Sequence, residues 1–130
     1  MGEIGGSQKQ EFLGNAIALL FPIDWPEPFG LVMIEALACG TSVIARPFGS
    51  VPEILRHGVS GFIESDIDGL VNAVNRVPSL SRHACREEFE TRFTADIMAM
   101  RYESLYYNLI RAEQVHSEDL SDQILESAAK

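Results

Sequence analysis

The chain has 130 residues, enough for one modest domain with a real core and too few for two. Its apolar residues, 46% of the total, never gather into the run of roughly 20 that a membrane span needs. The formal net charge of −9 includes five acids against one lysine over residues 113–130. There is no clustered Lys/Arg stripe, which argues against nucleic acid as a partner and leaves a small anionic ligand open.

Taken in chain order, Met1-Gly2-Glu3-Ile4-Gly5-Gly6 has neither the basic start nor the apolar core of a signal peptide, so a cytoplasmic setting is expected. Ser7 is a candidate N-cap for a helix over 8–16. Residues 17–23 form a continuous apolar run, the pattern of a strand buried on both faces. Residues 24–28 carry Pro26 and Pro28 and must be a rigid loop. A helix is predicted over 29–39, closed by Gly40.

Residues 41–45 read as a second buried strand and 46–49 as a turn. Ser50 and Glu53 have the spacing of a capping box, with Pro52 tolerated in the first turn of a short helix. Residues 61–64 are a third strand, and Asp66 caps a helix over 67–76. Beyond Pro78, residues 81–93 and 94–114 read as two helices. The second bears Ile97, Met98, Tyr102, Leu105, Tyr106, Leu109 and Ile110 on one broad stripe, expected to pack.

Alternating strand and helix implies an α/β fold with a parallel sheet covered on both faces. Three strands are fewer than a doubly wound domain carries, so the pattern is that of a partial Rossmann-like sheet, ending in long carboxyl-terminal helices. Residues 1–112 are read as the carboxyl-terminal half of a doubly wound domain, and 113–130 as an acidic tail, a frayed helix or disordered. Cys39 reads as a small buried hydrophobe rather than half of a disulfide. His83 and Cys85, two apart, lack the further ligands of a zinc site.

The chemistry concentrates between Asp24 and Val43. Open parallel sheets bind ligands at the carboxyl ends of their strands, which is where the loop 24–28 falls. Gly30 lets a ligand approach the backbone N–H groups of Phe29, Gly30 and Leu31, which with the positive helix end suit a phosphate. Glu27 stands just before the helix. Glu35 sits among apolar residues, so it either faces solvent or accepts hydrogen bonds from ligand hydroxyls. Eight helical residues rise about 12 Å, more than the 5–9.5 Å between the paired carboxylates of a glycosidase. The spacing therefore favours an extended ligand held at two points, such as a nucleotide sugar.

Glu27-Pro-Phe-Gly-Leu-Val-Met-Ile-Glu35 resembles the E-x7-E motif of retaining glycosyltransferases of the GT-B fold, particularly the family 4 group. The preceding helix and Leu-Leu-Phe-Pro strand, the stretch Glu35-Ala-Leu-Ala-Cys-Gly-Thr-Ser-Val-Ile-Ala45, and the runs Gly49–Ile54 and Gly58–Phe62 match further landmarks. The similarity extends over about residues 2–110. It implies sugar transfer from a nucleotide-diphosphate donor to an acceptor hydroxyl, with retention and no essential metal or other cofactor. It implies that Glu27, the catalytic candidate, contacts donor-sugar hydroxyls, and that Glu35 binds the ribose. The amides of Phe29, Gly30 and Leu31 would face the sugar and distal phosphate, with the helix from Ser50 shaping the wall.

Ser42 departs from the proline usual at its position. The family also has an acceptor-binding domain and a diphosphate-neutralising Arg/Lys pair, neither of which this sequence contains; Lys9 does not match that pair. The isolated chain is therefore expected to be inactive. Two alternatives stand beside the transferase reading. One is a nucleotide-sugar-binding or interaction module that pairs with itself or with a chain supplying the missing half. The other keeps the fold but acts as an epimerase or phosphorylase, which the motif fits less well. Peripheral membrane association of the parent enzyme is left open.

Overall fold

Three short strands, β1 (Ala18–Phe21), β2 (Ser42–Ala45) and β3 (Gly61–Ile63), pair in parallel in the order β1-β2-β3. Leu20 lies opposite Ile44, and Ile44 opposite Phe62. Helices α1 (Gly6–Asn15), α2 (Leu31–Ala38), α3 (Val51–Ile54), α4 (Ile67–Arg76), α5 (Arg82–Arg92) and α6 (Ala95–Ala128) complete the order, with a 3-10 turn at Val77–Ser79. The computed structural model describes residues 4–128, giving backbone alone at residue 7 and over 114–128. It resolves into two units, Met1–Phe93 and Thr94–Lys130.

The central strand β2 is buried throughout, and its alternation sorts the core. Val43 and Ala45 face Leu13, Met33, Leu37, Val51 and Ile54, from α1, α2 and α3, together with Cys85 of α5. Ile44 points the other way and joins Phe62 to Leu70 and Ala73 of α4. Helices therefore cover both faces of a parallel sheet, as the strand–helix alternation predicts.

Edge position separates β1 from that pattern. The sequence reading had this run buried on both faces, but Leu20 is 59% exposed and Ile17, just before the strand, 77%. β1 pairs with β2 on one side only among the described residues. An apolar run records what a strand is suited to meet; the sheet order decides whether it meets it.

Several boundaries have local causes. Asp66 accepts a hydrogen bond from Gly69 N–H at 2.7 Å, and Ser81 one from Ala84 N–H, as N-caps do. At the end of α2, Gly40 adopts φ +70°. There Gly40 N–H donates to the Leu37 carbonyl and Thr41 N–H to the Ala36 carbonyl, a Schellman closure. Two predicted caps move. Gly5, not Ser7, precedes α1, and Ser50 makes no side-chain cap on α3.

Within the second unit α6 continues well past residue 114, through the acidic segment. Met98, Tyr102, Leu105, Tyr106, Leu109 and Ile110 are exposed, contrary to the expected packing. No helix among the described residues is long and apolar enough to cross a membrane.

Candidate functional site at the end of β1

The segment that leaves β1 at the carboxyl edge of the sheet runs from Pro22 to Gly30 before α2 starts at Leu31. The helix begins two residues later than predicted, because Gly30 takes φ +75° and ψ +65°, a left-handed conformation that only glycine adopts at little cost. A methyl group on Gly30 would lie 2.7 Å from Met33 Cε and 3.3 Å from Glu27 Cγ. Gly30 is thus the N-cap rather than part of the first turn, and its carbonyl accepts from Met33 N–H at 2.9 Å. The N–H groups of Phe29, Gly30 and Leu31 have no hydrogen-bond acceptor among the described residues. The side chains of Phe29 and Leu31 are exposed. Only four of the eight steps from Glu27 to Glu35 are helical, so the predicted 12 Å helical rise does not apply.

Glu27 is held from two directions. Its carbonyl accepts from Ser50 N–H at 3.0 Å, and Oε2 of its side chain accepts from the Trp25 indole N–H at 3.1 Å. Against its backbone lies Gly49, at φ +56°, where a methyl group would stand 2.2 Å from Glu27 O and 2.4 Å from Glu27 N. The loop after β2 is thereby pressed onto the loop after β1, an approach that a side chain at position 49 forbids. The Ser50 hydroxyl donates to the Phe29 carbonyl at 2.7 Å. This is the reason Ser50 does not complete the predicted capping box: its hydroxyl serves the neighbouring loop.

Glu35 makes a contact that the sequence alternatives did not include. Its Oε1 pairs with Lys9 Nζ of α1 at 2.8 Å, both side chains being partly exposed. Oε2 of Glu35 and Oε1 of Glu27 have no partner among the described residues. The structure thus brings Glu27 beside Gly30 and the open amides, and ties Glu35 to α1. Sequence reasoning missed Trp25, Gly49 and Ser50 as parts of this arrangement and weighed Lys9 only against a diphosphate-binding role. Only Trp25 gave a local cue, as a donor two residues from the carboxylate.

Behind this edge, α5 closes the other ends of the helices. Arg82 donates to the carbonyls of Gly14, Ala16 and Cys39 and to Thr41 Oγ1, at 2.6–3.2 Å. Arg86 reaches the Ala38 carbonyl, and Arg92 those of Glu53 and Ile54. Cations thereby sit at carbonyl-rich helix ends, where the dipole favours them. Glu88 lies buried between Arg56, at 2.6 Å, and Arg92, at 2.9 Å. Burial alone would raise its carboxyl pKa, but the hydrogen bonds and charges of the two arginines outweigh burial and hold it below the usual range. Burial pushes the Cys85 thiol up, while Cys39 is only half-buried, more open than predicted. Among the described residues no three His, Cys, Asp or Glu side chains are arranged to hold a metal ion.

Residues 1–92 match the family model for glycosyl transferases group 1. The chain belongs to that family. It is 28% identical over 117 residues to the N-acetyl-alpha-D-glucosaminyl L-malate synthase of Bacillus anthracis, covering 82% of this chain and 31% of that protein. To the alpha-maltose-1-phosphate synthase of Mycobacterium tuberculosis it is 31% identical over 107 residues, 68% of this chain and 27% of that one. Among solved structures, the sucrose-phosphate synthase of Thermosynechococcus elongatus superposes with a TM-score of 0.66 at 31% identity, covering 78% of this chain and 27% of the other. The Anabaena HepE protein, solved with UDP-glucose, gives 0.64 at 23% identity, covering 78% and 30%. The fold of this member of the family is thus of the GT-B kind, and the chain spans under a third of the length of each of these relatives.

Proposed function

We propose that the chain is the donor-binding part of a cytoplasmic, retaining glycosyltransferase of the family 4 type, using Glu27 to Glu35 as its E-x7-E motif. Residues 1–112 would form the carboxyl-terminal half of the nucleotide-sugar domain, with 113–130 a polar tail. The reading rests above all on the row of acceptor-free N–H groups at Phe29, Gly30 and Leu31, with Glu27 folded against Gly30. Backbone N–H groups at a helix start suit a phosphate. A carboxylate with one free oxygen accepts hydroxyl protons. Glu27 then takes the donor sugar, the three amides the distal phosphate, and Glu35 the ribose. The HepE structure, which holds UDP-glucose, supports this ligand class as a fold-level likeness.

Binding and turnover are separable on this reading. Transfer needs positive charge on the leaving diphosphate and a closed cleft that excludes water. The chain alone is therefore expected to bind donor without transferring sugar, and no metal enters the reaction. Calorimetric titration with UDP-glucose and with GDP-mannose should show binding that Glu27→Ala and Glu35→Ala each weaken, by about tenfold for a lost charged hydrogen bond. If neither nucleotide sugar binds, the proposed site falls. Sugar turnover by the chain alone, abolished by Glu27→Ala, would overturn the separation of binding from transfer.

The edge strand favours a second reading, an interaction module that pairs with itself or with another chain. β1 presents an edge that is unpaired among the described residues, next to the exposed side chains of Ile17 and Leu20. Sedimentation at rising concentration tests self-pairing, and a monomer throughout would refute it.

A further inference from the structure

Both motif glutamates share a feature that the nine-residue motif does not contain. Each has one carboxylate oxygen taken by a donor from outside it: Glu27 Oε2 by Trp25 Nε1, and Glu35 Oε1 by Lys9 Nζ. Each keeps the other oxygen without a partner among the described residues. We propose that Trp25 and Lys9 are positioning residues of the donor site, which fix the two carboxylates in advance and aim their free oxygens at different parts of one ligand. The inference rests on the assignment of Glu27 to the sugar and Glu35 to the ribose.

The anchoring of each donor supports the role. Trp25 is half exposed in a loop stiffened by Pro22, Pro26 and Pro28, and that loop is fastened to the next by Ser50 N–H and Gly49. Lys9 lies one turn before Leu13 on the same face of α1. Leu13 is buried in the core, and its carbonyl accepts from Thr41 Oγ1 at 2.7 Å. Arg82 grips the following carbonyls of Gly14 and Ala16. The register of α1, and with it the reach of Lys9 to Glu35, is thus set by bonds remote from the ion pair. A free glutamate loses several side-chain torsions on binding a ligand. One held beforehand has already lost them, which lowers the cost of binding.

The two residues should affect different ligands, which distinguishes positioning from mere structural support. Affinities are measured by calorimetry for UDP-glucose against UDP, and for GDP-mannose against GDP. Trp25→Phe keeps a ring but removes the donor. It should weaken the nucleotide sugar by about threefold to tenfold and leave the nucleotide diphosphate unchanged. Lys9→Met should weaken both by a similar factor, since both carry the ribose, and Lys9→Arg should restore them. Melting temperatures of all variants should stay within about 2 °C of the natural chain, because exposed pairs add little to stability. Trp25 is also the sole tryptophan. Its emission in the unaltered chain should respond to the nucleotide sugar and not to the diphosphate. Variants that bind as the natural chain does, a Trp25→Phe that weakens sugar-bearing and sugar-free ligands alike, or a Lys9→Met that Lys9→Arg does not rescue, overturn the proposal while the donor site stands. Failure of the unaltered chain to bind either nucleotide sugar overturns both.

Discussion

Gly49→Ala isolates the contact that shapes the site. Two costs arise. The residue has φ +56°, and a left-handed backbone costs an alanine about 1–2 kcal/mol. The new methyl group would also lie 2.2 Å from Glu27 O and 2.8 Å from Pro26 C, which are main-chain atoms in a proline-bound loop. To reach ordinary contact the loop must retreat by about 1 Å or more. Overpacking of this kind costs about 1–3 kcal/mol. Retreat also strains the Ser50 N–H bond to Glu27 O and the Ser50 Oγ bond to Phe29 O, each worth about 0.5–1.5 kcal/mol. Together these come to about 3–8 kcal/mol, or a fall of at least roughly 12 °C in melting temperature for a unit of this size.

Gly58→Ala supplies the control. Gly58 has φ +78°, but nothing stands within 4 Å of a methyl group there. It carries the conformational cost alone, about 1–2 kcal/mol. Urea unfolding of both variants, followed by circular dichroism, measures the difference. If Gly49→Ala is no less stable than Gly58→Ala, the loop is not wedged on Gly49 and the account of how Glu27 is held is wrong.

Two further substitutions probe the support behind the site. Glu88 is held below its usual pKa in the folded chain, so the unfolded chain takes up its proton first as pH falls. Its contribution is present above the unfolded value, about 4.3, and is lost as pH drops through the lower folded value. Glu88→Gln should therefore flatten the acid limb of the stability profile, and an unchanged limb in acid titrations would contradict the pairing with Arg56 and Arg92. Arg82→Met removes the donors to Gly14, Ala16, Cys39 and Thr41 together. It should destabilise the first unit by about 2–4 kcal/mol in urea, given the cost of leaving several carbonyls less satisfied; a loss below 1 kcal/mol, on that scale, would show that water replaces the arginine.

What the sequence disclosed depended on the range of the cause. Gly40 and Asp66 act on residues within a few positions, and both closures could be read from residue type and spacing. The strand–helix alternation was equally plain, because a sheet covered on both faces needs apolar runs separated by amphipathic helices. Ser50 shows the limit. Its spacing to Glu53 satisfies a local rule, yet its hydroxyl serves Phe29, 21 residues away. A local pattern states which bonds are available, and the fold chooses among them. The exposure of β1 failed to register for the same reason, since no property of residues 17–23 records which strand lies on their far side.

Arg82, Lys9 and Gly49 carry this point to the candidate site. An arginine at the start of α5 is poorly placed for that helix, whose amino end is already positive. It is well placed for two other segments, the ends of α1 and α2, whose three carbonyls it gathers across 43–68 positions of chain. Lys9 reaches Glu35 over 26 positions because those same bonds hold α1 in register. Gly49 meets Glu27 because β1 and β2 run parallel as neighbours and deliver their following loops to one edge. The carboxylates lie in one short segment and are legible there as a motif. Of the groups that contact them, Trp25 lies in the same loop, whereas Lys9 and Gly49 come from other elements, and only the fold brings those two within reach.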